Sequence, residues 1–267
     1  MKTQYKKPKV SIVIVNYNND KFLSKSINSA LEQSYKPKEI IVVDDNSNDK
    51  SSEILKKFKK KIKIIKNKKK TLEGSFNQIN CYYRGYLKSR GDYLFFLDSD
   101  DYFKKNKIKI VVEEFKKKKN LEIIFDLPIW KFQKIFIKKK FKQKNFLFSN
   151  WPRFTPQSCI TVKKKYAKEF FRYVKIRKFE TLWFDFRIAS YSFIKNHKIY
   201  IIKKYLTYYR QLDNSASKNY KLFSKNWWYR RAQAHNFVIY LEKIFKVKSK
   251  ITFDKILTKF VNLFLYD

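Results

Sequence analysis

Runs of apolar residues divide the first hundred positions into short blocks that predict strands. The runs are rich in β-branched and aromatic residues and occupy 10–15, 40–43, 62–65 and 93–97. Between them apolar residues recur at helical spacing, and Leu23, Ile27 and Leu31 share one face of the first predicted helix. This alternation predicts an α/β fold of the Rossmann-like kind, a mostly parallel sheet with helices on both faces.

The pattern is less regular in the rest of the chain. Aromatic and basic residues alternate over 121–150 and favour strands, whereas 151–161 contains two prolines and is typical of an ordered loop that leads into a strand. A helix is predicted over 180–194. Two amphipathic segments, 227–244 and 253–264, close the chain. We expect them to pack as helices on the domain or on each other, with helices on a membrane surface as the alternative.

The chain is strongly basic. Its 267 residues include 63 Lys and Arg against 23 Asp and Glu, a formal net charge of +40. Such a charge favours anionic partners, which are nucleic acid, lipid surfaces or phosphorylated ligands. The basic residues are spread over both halves, however, and abundant lysine also fits the bias of an AT-rich genome. The length suits one large domain, or one domain with an extension.

The number of cysteines and the length of the apolar runs indicate where in the cell the protein is located. Cys81 and Cys159 are too few and too far apart for a disulfide framework or a CxxC metal site. The apolar run at 11–15 is too short for a signal-peptide core or a membrane span. We therefore expect a cytoplasmic protein, with peripheral contact at the inner face of the membrane as an alternative.

Two acidic clusters follow predicted strands. Asp44 and Asp45 end the second strand, and Asp98, Asp100 and Asp101 end the fourth. Ligands bind at the carboxyl ends of parallel strands, so both clusters are expected to line one cleft. In an extended chain Asp98 and Asp100 would share a face, roughly 6–7 Å apart. A divalent cation that carries a diphosphate is the natural occupant between them; a solvated Asp-rich turn is the simpler alternative.

Glycine is rare and unevenly placed. The chain has 3 glycines, and Gly74, Gly85 and Gly91 all precede the second acidic cluster. We expect them where the backbone geometry or the close approach of another segment excludes a side chain.

Five segments together carry a resemblance to a known family. They read VSIVIVNYNN (10–19), EIIVVDDNSND (39–49), GDYLFFLDSDD (91–101), WFDFRIASY (183–191) and YRQLDNSAS (209–217). In order and spacing they resemble the family 2 glycosyltransferases, enzymes of the GT-A fold. The resemblance implies transfer of a sugar, with inversion, from a nucleotide-diphosphate-sugar, most often a UDP-sugar. The acceptor it implies is a hydroxyl of a glycan or lipid-linked molecule in surface polysaccharide synthesis.

The resemblance also implies roles for residues of the donor site. Tyr17 matches the aromatic residue that stacks on the base, and Asp45 matches the acid that receives the N–H of the base, with Asp44 beside it. Arg84 is assigned to contact with the diphosphate. Asp98, Ser99 and Asp100 match the DxD motif that binds Mn²⁺ or Mg²⁺, and Asp101 is its usual acidic neighbour.

The downstream segments match the catalytic half of the family. Asp185 matches the position of the general base, with Glu180 as the competing candidate. Arg187 would orient Asp185 or contact a phosphate, or else lie on the surface of its helix. Arg210 belongs to the segment that closes the active site. The only histidines, His197 and His235, lie elsewhere and are expected to be structural.

The expected domain division follows from these matches. A GT-A domain covers 1–217, with a nucleotide-sugar-binding half at 8–105 and an acceptor and catalytic-base half at 106–217. The amphipathic helices occupy 218–267.

Three other functions compete with this interpretation. A basic nucleic-acid-binding protein fits the charge, but the acidic strand ends would repel a phosphate backbone, and no nucleic acid is expected. A nucleotidyltransferase-like protein would carry a Gly-rich loop after the first strand, where this chain reads NYNNDKF. A non-catalytic homologue of the same fold remains the third alternative.

Overall fold

The structure is a computed structural model that describes residues 7–67, 71, 73–139, 151–197, 199–212 and 219–265. In these ranges the strands are β1 (Val10–Asn16), β2 (Lys38–Asp44), β3 (Lys63–Lys66), β4 (Tyr93–Asp98), β5 (Tyr102–Phe103), β6 (Ile123–Phe132), β7 (Ile135–Ile137), β8 (Ile160–Lys163) and β9 (Ile199–Gln211). The helices are α1 (Asp20–Leu31), α2 (Ser51–Phe58), α3 (Gly74–Lys88), α4 (Lys107–Lys117), α5 (Lys164–Val174), α6 (Phe184–Ile194), α7 (Lys225–Ile244) and α8 (Phe253–Leu265).

The first four strands pair in parallel, as the sequence predicts. Strand β1 lies between β2 and β4, and β3 pairs with β2. The register aligns Asn16 with Asp44 and Val15 with Asp98, so both acidic clusters reach the same edge of the sheet. The β-branched residues of β1 are buried because helices cover both faces of these strands.

The second half of the chain makes the sheet mixed. Strand β8 runs antiparallel to both β4 and β6, whereas β9 runs parallel to β6 and antiparallel to β5. The full order is β3-β2-β1-β4-β8-β6-β9-β5, with β7 paired to β6. The predicted parallel arrangement therefore holds for β1–β4. The last strand, β9, reaches the edge of the sheet that carries the acidic residues.

Two apolar layers enclose the sheet. One contains residues of α1, α2 and α4, and the other contains residues of α3, α5, α6 and α7. Close contact explains two glycines: a Cβ on Gly85 would lie 2.2 Å from Val13 Cγ1, and one on Gly91 would lie 2.5 Å from the backbone nitrogen of Ser11. A Cβ on Gly74 would meet open space, so the expectation fails there.

Two helix predictions need correction. Helix α6 begins at Phe184 rather than at Glu180, because the preceding residues form a short 3-10 turn over Arg177–Phe179. Helix α7 packs on the core through Ala234, Phe237 and Leu241, as expected. Helix α8 packs against α7, as expected, but its apolar residues face outward. Among the described residues, no helix combines the length and the apolar character that a membrane crossing needs.

Candidate active site

Asp44 fixes the loop that follows β2. Its Oδ1 accepts hydrogen bonds from Asn16 Nδ2 at 2.7 Å and from the Ser47 hydroxyl at 2.7 Å, and its Oδ2 accepts one from the Ser47 backbone at 3.1 Å. Asn18 and Asn46 have φ values of 48° and 58°, a left-handed conformation that asparagine tolerates better than most residues. Asp44 therefore shapes the pocket wall, and its oxygens are engaged within the protein.

Asp45 begins a second polar chain at the same edge. Its Oδ1 accepts a hydrogen bond from Asn67 Nδ2 at 2.7 Å, and Asn67 Oδ1 accepts one from the Arg84 guanidinium. Tyr17 lies at the end of β1 with 48% of its surface exposed. The structure thus places Arg84 beside Asn67 and Asp45, at the end of the cleft predicted to bind the base.

The second acidic cluster is compact. One carboxylate oxygen from each of Asp98, Asp100 and Asp101 lies within 4.8 Å of the others. Strand β4 ends at Asp98, and a turn closed by the hydrogen bond from Asp101 N to Asp98 O, 3.1 Å, brings the carboxylates together. The prediction that an extended chain aligns Asp98 and Asp100 is wrong in its geometry, because the turn does this instead. Ser99 turns away and accepts a hydrogen bond from Asn19 Nδ2 at 3.0 Å.

Neutral donors hold Asp98 in place. Its Oδ1 accepts hydrogen bonds from the Tyr82 hydroxyl at 2.6 Å and from Gln78 Nε2 at 2.9 Å, both from α3. Its Oδ2 accepts one from Gln157 Nε2, and its backbone nitrogen donates to the Ser158 hydroxyl at 3.0 Å. These donors fix the direction of the carboxylate without supplying the positive charge that the cluster needs.

The electrostatics of the cluster favour a bound cation. Burial raises the pKa of Asp98, burial and the Asp98 charge raise that of Asp100 to about 7, and burial with both neighbours raises that of Asp101. Asp101 Oδ2 is buried and has no hydrogen-bond partner among the described residues. Three mutually repelling carboxylates with a free buried oxygen match the hard oxygen ligands of Mg²⁺ or Mn²⁺.

Arg210 on β9 contacts the loop that carries the cluster. Its backbone nitrogen donates to Asp101 Oδ1 at 2.7 Å, and its Nε donates to the carbonyl of Asp100 at 2.6 Å. Its guanidinium also lies over the Phe22 ring, 4.2 Å from the centroid. Arg210 thus ties the last strand to the acidic turn, and residues 213–217 of the same predicted segment lie outside the described residues.

Asp185 lies in the first turn of α6 and is almost buried. Its Oδ1 accepts a hydrogen bond from the Phe186 backbone at 2.7 Å. Burial, helped by the charge of Asp98, raises its pKa to about 7, while the hydrogen bond from the Phe186 backbone and the charge of Arg230 of α7 lower it. Asp185 therefore lies within electrostatic reach of Asp98. Glu180 is more exposed and faces Arg177 at 3.8 Å.

Comparison with known proteins decides the family. The model of Glycosyl transferase family 2 matches residues 11–183, more than half of the chain. The chain belongs to this family. An uncharacterized glycosyltransferase of Nostoc sp. is 34% identical over 125 residues, which cover 45% of the chain and 37% of the relative. The UDP-Glc:alpha-D-GlcNAc-diphosphoundecaprenol beta-1,3-glucosyltransferase WfaP of Escherichia coli is 41% identical over 100 residues, 37% of the chain and 38% of the relative.

A solved structure supports the fold. S. aureus TarS 1-349, crystallised with UDP-GlcNAc, superposes with a TM-score of 0.61 at 15% identity, over 89% of the chain and 70% of the TarS 1-349 chain. The GT-A fold and the family resemblance predicted from the sequence are thereby confirmed. The chain spans less than half the length of the two curated relatives above.

Arg187 of this family member does not reach the cleft. Its guanidinium is buried and donates to the carbonyls of Val174 at 2.6 Å, Ile176 at 2.8 Å and Phe179. Burial lowers its pKa to about 9. Arg187 therefore supports the segment that precedes α6, and the structure places it neither beside the Asp185 carboxylate nor on the helix surface.

Arg230 of α7 is a buried cation that the sequence interpretation did not select. Its guanidinium carbon lies 4.1 Å from the centre of the Trp183 ring and 2.9 Å from that of Tyr220. Its Nε and Nη1 atoms have no hydrogen-bond partner among the described residues. Burial lowers its pKa to about 10, against the favourable charges of Tyr220, Glu73 and Asp185.

Tyr209 is a second residue of the cleft that was missed. Burial raises its pKa, and the charges of the nearby carboxylates raise it further. The contributing residues are Asp101, Asp185, Asp98 and Asp100. Tyr209 therefore lies near the second acidic cluster and Asp185, and its position next to Arg210 in the closing segment was the available signal.

Proposed function

We propose that the chain is an inverting glycosyltransferase that moves a sugar from a nucleotide-diphosphate-sugar to a hydroxyl of a glycan or lipid-linked acceptor. One observation carries the proposal: three carboxylates converge within 4.8 Å at the end of β4, and a further carboxylate, the buried Asp185 of α6, lies within electrostatic reach of Asp98. The cluster of three carboxylates suits a metal-bound diphosphate. The single carboxylate of Asp185 suits the removal of a proton.

Asp98, Asp100 and Asp101 are proposed to hold Mn²⁺ or Mg²⁺. A bound divalent ion would neutralise charge on the leaving diphosphate. The raised pKa values of the three acids support this assignment. Burial and mutual repulsion disfavour the ionised carboxylates, and a bound cation would stabilise them. Tyr82, Gln78 and Gln157 orient Asp98, and Arg210 orients Asp101.

Asp185 is proposed as the general base. In the reaction the acceptor oxygen forms a bond to the sugar carbon while the bond from that carbon to the diphosphate breaks, and the acceptor proton passes to Asp185. Attack from the face opposite the leaving group inverts the sugar carbon. A pKa of about 7 suits this role, because the carboxylate is then both ionised in part and basic enough near neutral pH.

The nucleoside is proposed to bind between Tyr17 and the polar chain of Asp45, Asn67 and Arg84. The exposed ring of Tyr17 offers a stacking surface, and Asp45 offers an acceptor for a base N–H. Arg84 donates a hydrogen bond to Asn67, and its contact with the diphosphate stays a prediction. A uridine nucleotide is proposed because TarS was crystallised with UDP-GlcNAc and WfaP is named for UDP-Glc.

The acceptor and the place of action are proposed from the relatives. WfaP is named for a diphosphoundecaprenol acceptor, which supports a lipid-linked acceptor and a role in surface polysaccharide synthesis. Such an acceptor would require the protein to work at the inner face of the membrane as a peripheral protein, and the net charge of +40 favours an anionic surface.

Calorimetric titration with UDP, with and without Mn²⁺, tests the donor site. We expect binding that requires Mn²⁺, persists at moderate salt and is lost in Asp98→Asn/Asp100→Asn. A matched control, Asp92→Asn, removes an exposed carboxylate before β4 and should bind as the wild type does. Metal-independent binding that weakens steeply with salt and is equal in the cluster variant would remove the proposal and favour non-specific binding of polyanions.

A further inference from the structure

Helix α8 turns its apolar residues toward solvent. Phe253 is 61% exposed and Phe264 is 71% exposed. Six side chains form this surface, which we term the α8 apolar face: Phe253, Ile256, Leu257, Phe260, Leu263 and Phe264. Contiguous apolar surface of this kind on a folded protein indicates an interaction site.

Polar contacts fix this orientation of the helix. Asp254 and Thr258 are the buried side chains of α8, on the side that faces α7. Asp254 Oδ1 accepts a hydrogen bond from Arg231 Nε at 2.6 Å, and its Oδ2 lies 3.2 Å from His235 Nε2. An amphipathic helix that packs on a core does the reverse and buries its apolar stripe. The outward face is therefore held in place by specific contacts with α7.

Lysines lie in the segment before α8 and within the helix itself. Lys246, Lys248 and Lys250 are exposed in the segment before the helix, and Lys259 is exposed within it. Asp254 is the only acidic residue over 246–265, and Arg231 already forms an ion pair with it. The segment thus combines apolar residues with uncompensated positive charge. This combination is typical of helices that lie in the interface of an anionic membrane.

We propose that α8 lies in the interface of an anionic lipid bilayer, with its apolar face among the upper acyl chains and its lysines against the headgroups. Charge decides against a second copy of the chain, because two such surfaces would bring their lysines together. The apolar side chains decide against nucleic acid, whose backbone offers them no partner. Helix α8 would then be the part of the protein that makes the membrane contact proposed above, and the inference rests on that part of the proposed function.

Vesicle flotation with the full chain tests the inference. Vesicles of phosphatidylcholine alone are compared with vesicles that contain phosphatidylglycerol, without donor or acceptor. We expect binding to the anionic vesicles, reduced at least about tenfold in Phe260→Ser/Phe264→Ser. A matched control, Ile135→Ser/Ile137→Ser, removes exposed apolar side chains from β7 and should bind as the wild type does.

Three results would overturn the inference. The first is no preference of the wild type for anionic vesicles. The second is equal binding by Phe260→Ser/Phe264→Ser, which would leave the basic surface alone responsible. The third is a self-associated wild type that the same variant makes monomeric in light scattering, which would identify a second copy as the occupant. Because thermal unfolding and Mn²⁺-dependent UDP binding are measured on the same samples, a failure here is distinct from a failure of the proposed transfer reaction.

Discussion

Lys107 and Asp126 form an ion pair, with Nζ and Oδ2 2.7 Å apart and both side chains fully shielded from solvent. Lys107 also donates to the Ser158 carbonyl at 2.7 Å and to the Thr207 hydroxyl at 2.7 Å. Ser158 in turn accepts the hydrogen bond of the Asp98 backbone. The pair therefore lies beneath the acidic cluster and joins α4, β6 and β9 to the residue that supports it.

Removal of one partner of this pair should be costly. Lys107→Met leaves Asp126 buried without a countercharge, so we expect the free energy of unfolding to fall by about 3–5 kcal/mol. Urea denaturation measures this. The double variant Lys107→Met/Asp126→Leu should recover much of the loss, because no charge then stays buried. A double variant as unstable as the single one would show that the ion pair is not the cause.

Burial and charge repulsion in the acidic cluster predict a pH-dependent stability without metal. Asp100 has a folded-state pKa of about 7, above its ordinary value of 3.8, so the folded state binds the proton more tightly. Its contribution is then most favourable at low pH and is lost as pH rises from about 4 to 7. In EDTA we expect Tm to fall over this range, and to fall less in Asp100→Asn. Each kcal/mol corresponds to roughly 2–4 °C.

The same cluster should couple stability to metal. Addition of Mn²⁺ at 100 times its Kd is expected to stabilise the wild type by about 2.7 kcal/mol at pH 7.5. Asp98→Asn/Asp100→Asn should show little of this gain. Differential scanning calorimetry at fixed salt measures both proteins, and an equal gain in the variant would place the ion elsewhere.

Replacement of the proposed base should separate binding from chemistry. For Asp185→Asn we expect a fall in kcat of about 10²–10⁴-fold, with Mn²⁺-dependent UDP affinity unchanged. Glu180→Gln is the matched comparison, because Glu180 faces Arg177 outside the cluster, and it should keep most of the activity. The reverse ranking of the two variants would transfer the role of base to Glu180.

Arg230 should set the pH profile of the reaction. Its charge lowers the pKa of Asp185, whereas burial and Asp98 raise it. In Arg230→Gln the pKa of Asp185 should therefore rise, and the acidic limb of kcat against pH should move to higher pH. Tyr209 also lies near Asp185 but stays neutral over this range. Lys243→Gln, an exposed position on the same helix, serves as the control and should leave the profile in place.

The acidic cluster was predictable because its signals are local. A β-branched run that ends in acids marks the end of a buried strand, and parallel pairing brings such ends together. The contacts of Gln78 and Tyr82 with Asp98 were not predictable, since they depend on the rotation of α3 about its axis. The position of α3 also depends on Gly85, because its close contact with Val13 sets how closely the helix approaches the sheet.

The expected positions of Arg187 and of the apolar face of α8 differ from the observed ones for simple physical reasons. Arg187 follows Asp185 by two residues, and on an α-helix such residues point about 200° apart, so Arg187 cannot orient the base. The periodicity of α8 identified an apolar face correctly. It carried no information on whether that face meets the core, because the contacts of Asp254 with Arg231 and His235 decide this.

The bond between Arg210 and Asp101 also has a consequence for biosynthesis. The two residues are 109 positions apart, and β9 inserts between β6 and β5 after every other strand of the sheet has been made. A nascent chain that emerges from the ribosome can form the β1–β4 part of the sheet early, but Asp101 gains its hydrogen bond from Arg210 only when β9 arrives. Translation products that end before β9 therefore carry an acidic turn without the hydrogen bond from Arg210. The complete arrangement of the cluster appears late in synthesis.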